Sequence, residues 1–244
     1  MSQHVVSRTA HISAVLLLAA GSTVVSQAAT GATDHSALRR GTAGTSTNWS
    51  GYDVTAGGYT RVTASWVQPS VTCSGKKNAY SSFWVGLDGD GSSSVEQTGT
   101  DADCSRGRPA YYGWYEMYPA APVNFTNPVS PGDTITATVT SDGAGNFTLL
   151  LTDGTKWTRT VTRSLTTAQL QSAEVIAEAP SSGRGVLPLA NFGSVTFTGA
   201  QVNGTPIGSL NPNQITMAAS GIVKAQPGPL SPDGQQFRVA WAHS

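Results

Sequence analysis

Apolar and polar residues alternate along most of the chain from Trp49 onward, the pattern of strands with one buried face. Arg61–Val67 alternates and stops at Pro69, and Ser82–Leu87 runs into the turn Asp88-Gly-Asp-Gly91. An aromatic strand is predicted over Tyr111–Tyr118, closed by Pro119. Asp133–Thr140 interleaves Thr with apolar residues and ends in the Gly-rich stretch Asp142–Gly145. Asn146–Thr152 and Lys156–Arg163 form a predicted hairpin across Asp153-Gly154. Further strands are predicted at Gly193–Thr198, Gln214–Ala218 and Gln236–Trp241. Short β-branched runs at near-regular spacing, punctuated by Gly and Pro, predict an all-β chain folded as an antiparallel sandwich or barrel. No internal repeat is visible. Leu165–Ala179 departs from the pattern, because its Leu, Ala, Gln and Glu favour a helix. Its second half reads equally well as a buried strand. Either way Glu174 and Glu178 share a face, four residues being about one helical turn and also an even strand step.

The first 28 residues differ in kind. A weakly basic start, an apolar run from Ile12 to Ala20 and the small residues before Ala28 describe a secretory signal peptide. The run is too short to span a bilayer. Residues 29–47, rich in Ala, Thr, Gly and Ser, read as a flexible leader or short propeptide, its Arg39-Arg40 pair being a linker or a processing point. One domain, 48–244, remains. Export makes a disulfide expected between Cys73 and Cys104, the only cysteines.

Charge narrows the chemistry. Only 11% of the 244 residues are charged, with 14 basic and 14 acidic side chains. This balance lacks the basic footprint that nucleic acid or an anionic membrane surface requires. Few charges also limit self-repulsion when carboxylates protonate, which suits an acid-exposed protein. The four histidines, His4, His11, His35 and His243, sit at the two ends. A Ser-His-Asp or Cys-His nucleophile is therefore absent from the body, and so are His-based zinc sites. Chemistry must come from carboxylates, amides, hydroxyls or lysine.

Strand parity sorts those groups. Trp84, Gly86 and Asp88 fall on one side, with Phe83, Val85 and Leu87 facing the core. Tyr112, Trp114, Glu116 and Tyr118 share another face, a carboxylate among aromatics that suggests a groove. Gln97 points opposite to Glu96.

Five blocks occur in order: Asn48-Trp-Ser-Gly51; Phe83-Trp-Val-Gly-Leu-Asp-Gly-Asp90 with Gln97-Thr-Gly99; Trp114-Tyr-Glu-Met-Tyr-Pro119; Ala173-Glu-Val-Ile-Ala-Glu178; and Phe192-Gly-Ser-Val-Thr-Phe197. Over about residues 48–200 the chain thereby resembles the glutamic peptidases (eqolisins), secreted acid-acting endopeptidases. The resemblance implies a β-sandwich of two large antiparallel sheets, concanavalin A-like, with polypeptide substrates, no cofactor and no metal. It places the catalytic pair on Gln97 and Glu178, and substrate-groove positions on Trp84, Asp88 and Glu116. Glu174 is the alternative to Glu178. Two positions differ from the family pattern, Val175 for an aromatic and Tyr112 for an Asp. A monomer, exported and free of the membrane after signal cleavage, is expected. The implied mechanism uses Glu178 as base and then acid, with Gln97 stabilising the oxyanion. The rival readings are a secreted carbohydrate-active sandwich, using two of Glu96, Glu116, Glu174 and Glu178, and a non-catalytic glycan-binding module. The carbohydrate-active reading gives Gln97 no necessary role.

Overall fold

Strands that are apolar on one face become stable only by pairing sideways and covering that face. The computed structural model describes Met1, residues 41–42 and residues 44–244; the expected signal peptide and leader residues 29–40 lie outside the described residues. The principal strands are Trp49–Val54 (β1), Arg61–Val67 (β2), Ser82–Leu87 (β3), Val95–Ser105 (β4), Arg108–Tyr118 (β5), Val123–Pro128 (β6) and Thr134–Ser141 (β7). They continue with Asn146–Asp153 (β8), Trp157–Ser164 (β9), Ala173–Glu178 (β10), Ser194–Val202 (β11), Asn213–Ala219 (β12), Ile222–Pro227 (β13) and Phe237–Trp241 (β14).

Two antiparallel sheets result. Sheet I has the order β12–β1–β10–β3–β4–β5–β6. Sheet II has the order β9–β8–β7–β2–β11–β14–β13–β12. Strand β12 joins both, pairing through Asn213–Ile215 with β1 and through Met217–Ala219 with β13. The sheets pack as a β-sandwich, the architecture that alternation predicts. Thr45–Ser46, within the span expected to be a flexible leader, pairs in parallel with Thr216–Met217. The ordered body thus starts ahead of Asn48.

The core lies between the sheets. Phe83, Val85 and Leu87 of β3 face Val62, Ala64 and Trp66 of β2, with Ile135, Ala137 and Val139 of β7 beside them, all buried. Tyr52 meets Phe237 edge-on across the gap at 4.8 Å between ring centroids. Trp66 Nε1 donates to Thr100 Oγ1 at 3.1 Å, so even the buried indole is satisfied. Each large side chain fully buried in this way contributes about 1.5–3 kcal/mol. At the open side, Arg159 and Arg163 of edge strand β9 turn inward, donating to Asn127 Oδ1 and Tyr115 OH. Inward charges on an edge strand discourage pairing with another chain.

The helix-favouring segment forms no helix. Ala173–Glu178 is a strand buried at every position, because β1 pairs with one of its edges and β3 with the other. Pairing on both edges outweighs local helix propensity, and burial of both faces erases the alternation that marks the other strands.

Cys73 and Cys104 are disulfide-bonded, closing a sequence separation of 31 residues. Replacing both by Ser should lower unfolding free energy by about 3–4 kcal/mol on the chain-entropy account. Urea titration measures this; an unchanged midpoint would show that the crosslink does not stabilise the native state.

Candidate active site

The outer faces of the two sheets differ in chemistry. That of sheet II is a hydroxyl ladder, Thr63 against Thr138 and Ser65 against Thr136, each at 2.7 Å. Sheet I instead presents tryptophans and carboxyls. Residues directly opposite in neighbouring strands share a face, and the register of β1, β10, β3, β4 and β5 lines up three transverse rows. They are Trp49–Glu178–Ser82–Asp101–Tyr112, Gly51–Ile176–Trp84–Gly99–Trp114 and Asp53–Glu174–Gly86–Gln97–Glu116. Gln97, Glu178, Trp84 and Glu116 therefore stand on one face, away from the core. Trp49, Trp84, Trp114, Val95, Ile176 and Ile215 form a second apolar cluster there, which lowers the local dielectric around the carboxyls.

Trp84 connects the rows. A Cβ on Gly86 would lie 2.9 Å from Trp84 Cζ3 and 3.2 Å from Gln97 Cβ, so the indole rests against a bare backbone beside Gln97. A Cβ on Gly99 would run into the Phe83 carbonyl and come within 2.6 Å of Trp84 Cβ. Gly86 thus admits the ring, and Gly99 admits the backbone of β3 at Phe83 and Trp84. Its Nε1 donates to Glu178 Oε2 at 2.8 Å, and Asn48 Nδ2 approaches Glu178 Oε1 at 3.4 Å. Trp84, expected to touch substrate, orients Glu178. Asn48, quoted in the first motif without a role, is a second orienting donor.

Gln97 and Glu116 are register partners, and Gln97 Nε2 donates to Glu116 Oε2 at 2.6 Å. Gln97 Oε1 is buried with no protein donor. Glu116 also acts electrostatically on Glu178, raising its affinity for a proton. The structure thus ties Gln97 to Glu116 and Trp84 to Glu178, with Glu116 influencing both members of the expected pair.

Asp88 is placed differently. Strand β3 ends at Leu87, and Asp88 has φ of 65°, so parity no longer carries its side chain beside Trp84. Its carboxylate accepts the backbone N–H groups of Gln169, Leu170 and Gln171 at 2.7–2.9 Å. It fastens the loop that leads into β10. Glu174, in the row of Gln97, is fully buried and neither of its carboxyl oxygens has a protein hydrogen-bond partner.

Several groups escaped the sequence reading. Asp101 accepts from Trp114 Nε1 at 2.6 Å, and Asp103 accepts from Tyr112 OH at 2.7 Å. Asp101 is four residues beyond Gln97, an even step that already places it on the same face. Glu96 lies on the opposite side of sheet I, paired with Leu87 and Met117.

Burial governs how these carboxyls titrate. It pushes Glu96 up to about 8, with the Asp88 charge adding to the effect. Asp101 is pushed up to about 7. Asp103, Glu174 and Glu178 are also raised well above the usual carboxyl range, in each case mainly by burial.

Each of these groups binds its proton more tightly folded than unfolded. Their stabilising effect is complete below the unfolded values near pH 4 and is lost as pH rises through the folded values, which for Asp101 and Glu96 are about 7 and about 8. Each proton released on unfolding changes the slope by about 1.4 kcal/mol per pH unit. Asp133, Asp142 and Asp233 are lowered and act in the opposite direction. The net expectation is a melting temperature that falls from pH 4 to pH 7.5, measured by calorimetry. A flat or rising curve would contradict protonated carboxyls on this face. Separately, Trp84→Phe should reduce kcat about tenfold through loss of one charge-assisted hydrogen bond to Glu178. An unchanged kcat in a folded variant would remove the orienting role.

Comparison with known proteins bears on the chemistry. Residues 47–226 match the Peptidase A4 family. Aspergillopepsin-2 of Aspergillus niger is 33% identical over 204 residues, covering 73% of this chain and 72% of that protein. Among solved structures, scytalido-glutamic peptidase with a transition state analog inhibitor superposes with a TM-score of 0.69 at 22% identity, over 80% of this chain and 98% of that one. Aspergilloglutamic peptidase from Aspergillus niger gives a TM-score of 0.60 at 29% identity, over 67% and 99%. With most of the body matched in both sequence and fold, the chain belongs to the peptidase A4 family of glutamic peptidases and is a peptide hydrolase.

Proposed function

We propose that the protein is an exported, acid-acting endopeptidase, working as a monomer, whose Glu178 and Gln97 hydrolyse peptide bonds without a covalent intermediate. The observation that carries this reading is the linkage on the outer face of sheet I. Gln97 is anchored to Glu116, Glu116 acts on Glu178, and Trp84 holds Glu178 while packing beside Gln97.

Glu178, held through Trp84 and Asn48, takes a proton from the attacking water and later delivers it to the leaving amine. Gln97 Nε2 has two N–H groups, of which one serves Glu116. The other is free for the oxygen of the scissile carbonyl as it gains charge. Gln97 Oε1, without a protein donor, can accept a hydrogen bond from the water and aim it. Burial raises the proton affinity of Glu178, so its ionised fraction is the base and is a stronger one than an ordinary carboxylate. Asp88 supports the site through the loop before β10, and Glu116 fixes the Gln97 amide. The carbohydrate-active alternative assigns Gln97 no part, and membership of a peptidase family sets it aside. Among the described residues no helix is long and apolar enough to cross a membrane, which is compatible with export.

Glu178→Gln keeps the size and hydrogen bonding of the side chain and removes the base, so kcat/KM on denatured casein should fall by about 10³ or more. Gln97→Glu should suffer a loss of similar order, since removing one oxyanion donor costs a factor of about 10²–10³ and an added charge repels the oxyanion. Retention of near-parent proteolysis by either folded variant in acid would overturn the pairing. Loss in Glu174→Gln with activity retained in Glu178→Gln would transfer the role of base to Glu174.

A further inference from the structure

Asp101 stands in the same transverse row as Glu178, with only Ser82 of β3 between them. Asp103, two residues along β4, shares its face. The pair is gripped by donors: Trp114 Nε1 on Asp101 Oδ1 at 2.6 Å, Tyr112 OH on Asp103 Oδ2 at 2.7 Å, and Ser81 N on Asp103 Oδ1 at 3.1 Å. Both aspartates are almost completely buried, and no described Lys, Arg or His pairs with Asp103. Two neighbouring buried carboxyls cannot both ionise freely, so such a cluster retains a proton in acid.

The titratable groups facing Asp101 among the described residues are Asp103 on its own strand, Tyr112 on β5 and Glu178 on β10; β3 contributes only the neutral Ser82. We propose that Asp101 is a positioning residue for proteolysis, staying protonated in acid so that Glu178 can ionise as the base, and closing the neutral side of the activity range when it ionises. This rests on the assignment of Glu178 as base. On ionisation the Asp101 proton passes to water, leaving a carboxylate in the row of Glu178. That charge repels a second negative charge on Glu178, so it holds a proton there, and it repels the oxyanion forming nearby. Burial of Asp101 places this event near neutral pH. Trp114 and Tyr112 keep the cluster on the working face.

The test is the pH dependence of kcat/KM for Asp101→Asn between pH 3 and pH 8, with a fluorogenic peptide and with folding checked by near-ultraviolet circular dichroism at each pH. Asn keeps an oxygen to accept from Trp114 but cannot ionise. The neutral limb should move upward by about one pH unit, a gain of about tenfold in relative rate on that limb, while the acid limb stays close to the parent's. A folded variant with an unmoved neutral limb overturns the proposal. If Asp101→Asn does not fold, carboxyl-¹³C NMR of Asp101 in the Glu178→Gln protein decides. A titration midpoint on the neutral limb supports the role, and a carboxyl ionised throughout pH 3–6 overturns it. Undiminished activity of Glu178→Gln would instead defeat the assignment of the base, whereas the limb shift in Asp101→Asn would still report on Asp101.

Discussion

The site depends on the register of β10 between β1 and β3, carried on through β4 and β5. Because side chains alternate with a period of two, a slip of one residue in any of these pairings would send Glu178 or Gln97 into the core and bring Ala177 or Glu96 to the working face. Packing enforces the register from both sides. Phe83, Val85 and Leu87 fill the core below sheet I. Above it, the Trp84 indole needs the bare backbone of Gly86, and Trp84 itself sits opposite Gly99, where β3 comes too close for a side chain. The same glycines that permit the close approach therefore bring Trp84 to Glu178 and settle it beside Gln97.

Burying acidic groups beside tryptophans has an energetic consequence that suits the chemistry. A carboxyl removed from water favours its neutral form, and Glu178, Glu174, Asp101 and Asp103 all experience that pressure on one face. Such a face is comfortable in acid and strained towards neutrality. Acid action, as proposed, places the protein under the conditions in which this face is least repelled, with few opposing charges required elsewhere. With only 14 Lys and Arg residues in 244, protonation of the carboxyls leaves a modest positive charge for the fold to withstand.

Much of the architecture was legible in the sequence because the strands of sheet II and the central hairpins expose one face, so their alternation survives. The reading weakened where both faces are buried. Ala173–Glu178 carries no alternation and was open to a helical interpretation, which only its two neighbours resolve. Strands β6 and β13 were passed over; the first lies at the edge of sheet I and the second is a short partner of β12 and β14, and neither carries a strong β-branched alternation. For the site, parity was a sound guide for Trp84 and Glu116, which remain inside regular strands. It failed to extend to Asp88, where a positive φ ends the strand and the carboxylate turns to a loop. Asp101 was within reach of the same argument, four residues beyond Gln97, but the pairing with Ser82 that sets it opposite Glu178 is a matter of register and cannot be counted along one strand. Asn48 shows the same limit, since its contact with Glu178 spans 130 positions.

The central claim is that this face of sheet I is where a peptide is cut, between a base at position 178 and an amide at position 97. A crystal structure of the Glu178→Gln protein with an uncleaved peptide tests it most directly. The account predicts the scissile carbonyl oxygen within about 3 Å of Gln97 Nε2 and a water between the carbonyl carbon and residue 178. A peptide seated with its carbonyl against Glu174, or bound on another face of the sandwich, would contradict it.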